Sequence, residues 1–148
     1  MKKLIVWATL LIMCALPVSF SAQAQEDLKP KKYDNTQWKR ISLTSYKSGQ
    51  LARAKEIIQN FHGKASEKAG TPRPAMIIDL ISGDWDVMTV WDMPEGLEEF
   101  SWETSPRDIK WRKALNEIAG GADKATAILA EYSSLIVRNT RYIGRIRQ

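Results

Sequence analysis

The sequence predicts an α+β fold in which four strands form an antiparallel sheet and helices cover one of its faces. Short runs of alternating apolar and polar residues indicate strands, and longer segments with apolar residues at every third or fourth position indicate helices. These elements follow in the order strand, helix, strand, strand, helix, strand, with the second helix split in two. The 148 residues suffice for one domain, and a content of 44% hydrophobic and 26% charged residues is typical of a folded soluble protein.

The N-terminus has the three parts of a secretory signal peptide. Two lysines precede the apolar run Leu4–Leu16, and small residues then lead to Ala24. We predict that residues 1–24 are a signal peptide cleaved near Ala24, so that the protein is periplasmic or secreted in a bacterium, with no stable membrane insertion afterwards. A retained anchor would need ~20 apolar residues, and a lipoprotein acylated at Cys14 would need a small residue in place of Met13.

The scarcity of cysteine and histidine excludes several kinds of site. Cys14 is the only cysteine, so the cleaved protein would have no thiol for disulfides, zinc–cysteine sites, iron–sulfur clusters or nucleophilic catalysis. His62 is the only histidine, which excludes sites that need two imidazoles. We therefore expect no bound metal or organic cofactor. Cleavage would lower the formal net charge from +5 to +3, and this mild basicity argues against nucleic acid as a partner.

A polar leader, a strand and a long helix follow the signal peptide. Residues 25–36 show no periodicity, so we predict a flexible leader and a domain spanning residues 37–148. Alternation over Trp38–Tyr46 predicts the first strand. Apolar residues at helical spacing predict a helix of about five turns from Leu51, ending where Gly70 can take the left-handed conformation.

Two β-rich runs then predict a hairpin. The runs are Ala75–Ile81 and Trp85–Met93, and the short segment between them contains Gly83, which can supply the positive φ of a tight turn.

The last third of the domain is predicted to hold a split helix and a final strand. Ser105 caps the helix, a proline occupies its first position, and Asp108 is placed to complete a capping box. Gly120-Gly121 breaks the helix, and helical spacing resumes at Asp123. Alternation over residues 135–145 predicts the last strand.

This order predicts a ferredoxin-like βαββαβ fold whose exposed sheet face should be polar. Both faces are apolar instead. In the third strand Trp85, Val87 and Trp91 share one face, while Met88 and Val90 share the other. Monomers rarely expose so much apolar surface. We therefore predict a homodimer in which a second copy covers the sheet and closes an α/β barrel.

Three segments carry a resemblance to a known superfamily. They are the end of the first strand with its turn, residues 45–50, the hairpin around residues 82–86, and the late helix before the last strand. Over residues 37–146 this layout resembles the dimeric α/β-barrel superfamily, with its antibiotic-biosynthesis monooxygenase-like and NIPSNAP-like domains. The resemblance implies a fold and leaves the activity open, since members include cofactor-free monooxygenases, haem-degrading enzymes, isomerases and proteins without known activity. The haem-degrading members use a histidine on a late helix, where this chain has none.

Aromatic and cationic strand residues are the candidates for a ligand pocket. They are Arg40, Tyr46, Trp85, Trp91, Arg138 and Tyr142. If they line the space between the sheet and its partner, they would suit a flat organic molecule with an acidic or phenolic group. The alternative is a plain dimer interface, in which Trp, Tyr and Arg are enriched in any case.

Two other features have simpler interpretations. His62 could act as a base or a metal ligand, but its position predicts a half-exposed residue at the edge of the first helix. Eight acidic residues fall between positions 79 and 103 without the spacing of a calcium loop, which predicts solvated loop charge. We expect the arginines of the last strand, Arg138 among them, to pair with this acidic stretch within the molecule or across the dimer.

The leading hypothesis is an exported homodimeric α/β-barrel protein that binds a small apolar or aromatic molecule without a cofactor. The first alternative is a cofactor-independent monooxygenase or isomerase, in which a tyrosine or arginine stabilises an enolate or phenolate. The second alternative is a structural or envelope interaction module with no ligand.

Overall fold

The computed structural model describes residues 29–33 and 36–147. The chain divides by its internal contacts into residues 1–32 and 33–148, and the described helices and strands all belong to the second unit. The expected signal peptide and its cleavage site near Ala24 lie outside the described residues.

Four strands form one antiparallel sheet in the order β2-β3-β1-β4. The strands are β1 (Trp38–Tyr46), β2 (Met76–Asp79), β3 (Val87–Met93) and β4 (Ile136–Arg145). The helices are α1 (Leu51–Ile57), α2 (Gly63–Ala69), α3 (Pro106–Ala119) and α4 (Ala122–Leu135), with a π-helical turn at Ile58–His62 and a 3₁₀ turn at Gly96–Phe100. The predicted α+β class, the βαββαβ order and the four-stranded antiparallel sheet are confirmed.

The hairpin strands are shorter than their apolar runs. β2 ends at Asp79 and β3 begins at Val87, although Gly83 has the expected positive φ of 92°. Asp86, immediately before β3, is also bonded to β1: its backbone N–H donates to the Thr44 carbonyl over 3.0 Å, and its carboxylate accepts from the Tyr46 N–H over 2.7 Å. These bonds tie Asp86 to the first strand.

The first helix differs from the regular five-turn helix that its periodicity predicts. The π-helical turn Ile58–His62 separates α1 from α2, and the backbone N–H of Gly63 donates to the Ile58 carbonyl five residues earlier. A Cβ at Gly63 would lie 3.2 Å from that oxygen, so glycine suits the close approach.

The capping box predicted at the start of α3 is confirmed. The Asp108 N–H donates to the Ser105 Oγ over 3.2 Å, and the Ser105 N–H donates to the Asp108 carboxylate over 2.9 Å. Gly120 then ends the helix with a φ of 79°, which permits α4 to start directly afterwards.

The helices pack on the face of the sheet that carries Tyr46 and Val87, which we call the helix-covered face. One core cluster joins Tyr46 and Val87 to α1 and α4, and a second lies among α2, α3 and α4. The other face, which we call the open face, contributes no residue to either cluster of the described chain. By the strand register, its apolar residues are Ile41, Leu43, Met76, Ile78, Met88, Val90 and Tyr142.

Candidate functional site

Three of the six candidate ligand residues lie on the helix-covered face. Arg40 and Trp91 are direct partners across β1 and β3, and the Arg40 guanidinium carbon lies 5.3 Å from the centre of the Trp91 ring. Tyr46 shares this face but belongs to the core, where its hydroxyl lies 2.9 Å from that of Tyr132. Burial and this hydrogen bond raise the pKa of Tyr46 far above its usual value, so its phenol stays neutral.

Arg138 and Tyr142 lie on the opposite face of the sheet. Arg138 is opposite Ser45 and Tyr142 is opposite Ile41, both of which point away from the helices. The Arg138 guanidinium carbon lies 4.0 Å from the centre of the Trp85 ring, a cation–π contact. The six residues therefore do not line one cavity, since the register of β4 separates Arg138 and Tyr142 from Arg40. Arg40, Tyr46 and Trp91 were expected to line a pocket between the sheet and a partner subunit. The chain's own helices cover their face instead.

A cleft of about 340 Å³ opens beside Arg40 and Trp91. Its walls come from β1, β3, the end of α2, the loop after the 3₁₀ turn and the start of α3. The lining residues are Arg40, Ser66, Thr71, Pro72, Trp91, Asp92, Glu99, Trp102, Ser105, Arg107, Asp108 and Trp111. Three indoles and two guanidinium groups thus share one cleft between the sheet and the helices.

Most charges of the cleft are already paired. Arg107 lies 3.4 Å from Glu99 and 3.7 Å from Glu95, and Asp92 forms an ion pair with Lys39. The hydrogen bonds of Ser105, and to a smaller extent the charges of Arg107 and Arg40, lower the pKa of Asp108, whose carboxylate is part of the helix cap. The Arg40 guanidinium forms no ion pair or hydrogen bond with any residue that the structure describes. Its charge still helps to lower the pKa of Asp108, so Arg40 lies near that carboxylate without a direct ion pair. Arg40 is the cation of the cleft whose hydrogen-bond donors remain free for an anionic ligand among the described residues.

The acidic stretch 79–103 finds its partners on other segments. Asp79 pairs with Lys55, Asp92 with Lys39, and Glu95 and Glu99 with Arg107. None of the β4 arginines forms an ion pair within the described ranges. The expectation that they pair with the acidic stretch inside one molecule was therefore wrong. Arg138 instead donates to the Asp84 carbonyl over 3.4 Å.

His62 packs inward beside the cleft. Its ring meets Tyr132 edge to face at 4.8 Å and Trp111 at 5.6 Å, and the Trp111 indole N–H donates to the His62 carbonyl over 3.3 Å. The His62 Nε2 is buried without a hydrogen-bond partner among the described residues. Burial lowers the pKa of His62 below its ordinary value of 6.5, so the imidazole stays neutral near pH 7.

We expect the protein to lose stability between pH 7 and pH 5 because of His62. The lowered pKa means that the unfolded state binds a proton before the folded state does, so the free energy of unfolding falls as the pH drops below about 6.5. The limiting slope is about 1.4 kcal/mol per pH unit. Denaturant unfolding at several pH values measures it. In His62→Phe the slope should become clearly shallower over this range, with the lowered carboxyl pKa values leaving a remainder toward pH 5. An unchanged slope would contradict the assignment.

Within residues 29–33 and 36–147, no helix is long and apolar enough to cross a membrane. Over the same ranges, no three His, Cys, Asp or Glu side chains are grouped so that they could hold a metal ion.

The element order and sheet order define a ferredoxin-like α+β fold, and one solved NIPSNAP structure has a similar fold. A NIPSNAP family protein of unknown function from Agrobacterium tumefaciens superposes with a TM-score of 0.50 and 11% sequence identity, covering 79% of this chain and 94% of that one. A second NIPSNAP family protein from that organism gives a TM-score of 0.49 with 12% identity, covering 80% and 93%. An uncharacterized NIPSNAP domain protein from Burkholderia xenovorans gives 0.43 with 10% identity, covering 72% and 91%. No family model and no curated protein sequence matches the chain.

The cleft includes residues that sequence reasoning did not select. Periodicity places Trp111 on the buried face of its helix, and Trp102 and Glu99 fall in the acidic loop. The one sequence signal for these residues was the capping box, which sets where α3 begins. The first turns of α3 carry Arg107 and Trp111, and both line the cleft.

Proposed function

We propose that the protein binds a small planar aromatic carboxylate in the cleft between its sheet and its own helices. The observation that carries the proposal is Arg40, which lies over the Trp91 ring and forms no ion pair or hydrogen bond with the described residues, in a cleft that also holds Trp102 and Trp111. The sequence led us to expect a ligand of this class between the sheet and a partner subunit, whereas the cleft lies between the sheet and the chain's own helices.

The chemistry of these side chains matches such a ligand. A guanidinium donates two parallel hydrogen bonds to a carboxylate, and indole rings favour stacked or edge-on contacts with another aromatic ring. The volume of about 340 Å³ lies at the lower end of the range of roughly 300–1,000 Å³ found for small-molecule sites. A one- or two-ring acid is therefore the appropriate size.

Titration with naphthoate, followed by tryptophan fluorescence, tests this function. Arg40→Gln removes the cation, and we expect it to weaken binding by about 10-fold or more, since a charge-assisted hydrogen bond contributes roughly 1.5–3 kcal/mol. Arg112→Gln is the matched control, because Arg112 is exposed on α3 and does not line the cleft. Equal weakening in both variants, or no binding to the unmodified protein at millimolar naphthoate, would refute the proposal.

We also propose that the protein is a homodimer assembled through the open face. Ile41, Leu43, Met88 and Val90 occupy the centre of this face, and the core clusters leave them without helical cover. Tyr142 at its margin is 52% exposed, and Met76 at the opposite edge is also 52% exposed. A contiguous apolar face of this kind favours association. Light scattering after chromatography measures the mass, and a monomer at micromolar concentration would be inconsistent with this assembly.

A further inference from the structure

Two exposed strips of opposite charge lie toward one end of the sheet. The acidic strip is residues 95–103, with four glutamates and no lysine or arginine, and the basic strip is residues 137–147, with four arginines and no acidic residue. Both strips also carry exposed apolar side chains, which are Leu97, Phe100 and Trp102 in the acidic strip and Val137, Tyr142, Ile143 and Ile146 in the basic strip. Met93 at the end of β3 and Arg145 at the end of β4 are both opposite Trp38, so the acidic strip begins near the sheet end where the basic strip finishes.

Each strip has charges that the molecule does not pair. Glu98 and Glu103 are exposed and form no ion pair with any described residue. Arg141 and Arg147 are exposed as well, and they likewise form no ion pair within residues 29–33 and 36–147. The two strips therefore present complementary charges to a partner.

The basic strip is unsuited to pairing with a second copy of itself. It includes β4, an edge strand of the sheet, and an edge strand offers backbone groups to another chain. Two β4 strands side by side would bring arginines against arginines, and like charges opposite each other destabilise a strand pair. On this chain, the acidic strip is the surface that matches the basic strip in both charge and exposed apolar side chains.

We infer that the acidic strip of one copy packs against the basic strip of the second copy in the dimer. The inference rests on the proposed homodimer and adds to its open face a contact that selects the partner by charge. In a twofold dimer each copy supplies both strips, so the contact occurs twice. The apolar side chains of the strips pack within it, and the charges around them set the orientation of the two copies.

Charge reversal followed by mixing tests the inference. The acidic-strip variant combines Glu98→Arg with Glu103→Arg, and the basic-strip variant combines Arg141→Glu with Arg147→Glu. Either variant alone places like charges in both contacts, so its dimer dissociation constant should rise about 10-fold or more in analytical ultracentrifugation of the full chain. A mixture of the two variants has opposite charges at both contacts. Heterodimers, identified by native mass spectrometry, should therefore form with the affinity of the unmodified protein.

Arg112→Glu combined with Lys113→Glu is the matched control. Both residues are exposed on α3, outside the strips, and the change in net charge equals that of the basic-strip variant. Alone, the control should dimerise as the unmodified protein does. Mixed with the acidic-strip variant, it should not restore the affinity.

Unchanged affinity in both strip variants, no recovery on mixing them, or an equal recovery with the control would overturn the inference and leave the open-face homodimer standing. An unmodified protein that is monomeric at micromolar concentration overturns the homodimer and the inference together. Should a double variant not fold, Glu98→Arg and Arg141→Glu alone enter the same mixing experiment, with Arg112→Glu as the control, and the same outcomes decide.

Discussion

An aspartate in place of Leu43 is expected to convert the proposed homodimer into a monomer. Leu43 lies on the central strand β1, opposite Met88 and Thr140, in the middle of the open face. Association would bury the introduced carboxylate against apolar side chains such as Met88, and a buried charge without a partner costs about 3–5 kcal/mol. The dimer dissociation constant should therefore rise about 100-fold to 5,000-fold. Analytical ultracentrifugation over a concentration series measures it.

The control for this experiment is a charge change off the open face. Lys47→Asp places an aspartate on the exposed turn after β1 and should leave the dimer intact. The monomer formed by Leu43→Asp should keep its circular dichroism spectrum, since the substituted position lies outside both core clusters. A Leu43→Asp protein that dimerises as tightly as the unmodified one would show that the second copy does not cover this face.

Truncation of Ile57 to alanine should lower the free energy of unfolding by about 2–5 kcal/mol. Ile57 is 0% exposed and packs in the cluster with Tyr46, Ala54, Val87 and Leu135. The deletion removes buried methyl and methylene groups and leaves a cavity that the sheet and the helices fill only in part. Equilibrium urea unfolding measures the loss.

The same substitution at Ile81 isolates the effect of burial. Ile81 is 100% exposed in the connection between β2 and β3, so Ile81→Ala should change stability by at most about 0.5 kcal/mol. Equal losses at the two positions would mean that the cluster around Ile57 is not a packed core in solution.

Signals confined to a few neighbouring residues predicted the fold well. Ser105 and Asp108 form the expected capping box, Gly70 ends α2 in the left-handed conformation, and β1 spans the expected residues. Each of these features depends on hydrogen bonds or sterics within about one turn of chain, and the sequence displays all the partners. The signal peptide, the flexible leader and export stay predictions.

The candidate site was harder to predict because it depends on partners distant in sequence. Alternation along β4 shows which residues share a face, but only the pairing of Tyr142 with Ile41 shows that this is the open face. The cleft likewise needs the register that brings Arg40 opposite Trp91 and the packing of α3 against α2. Arg40 and Trp91 stand out in the sequence by their chemistry, whereas Glu99 and Trp102 give no periodic signal.

The π-helical turn lets one helical segment serve two cores. Ala54 and Ile57 before it belong to one cluster, while Ala65 after it belongs to the other. Each residue added to a helix advances its direction by about 100°, so the length of the turn sets the angle between the two buried stripes. A one-residue deletion between positions 58 and 62 would rotate Ala65 out of its cluster. It would also shift the end of α2 and the following residue Thr71, which lines the cleft. Insertions or deletions in this turn should therefore reduce stability more than substitutions of its residues do.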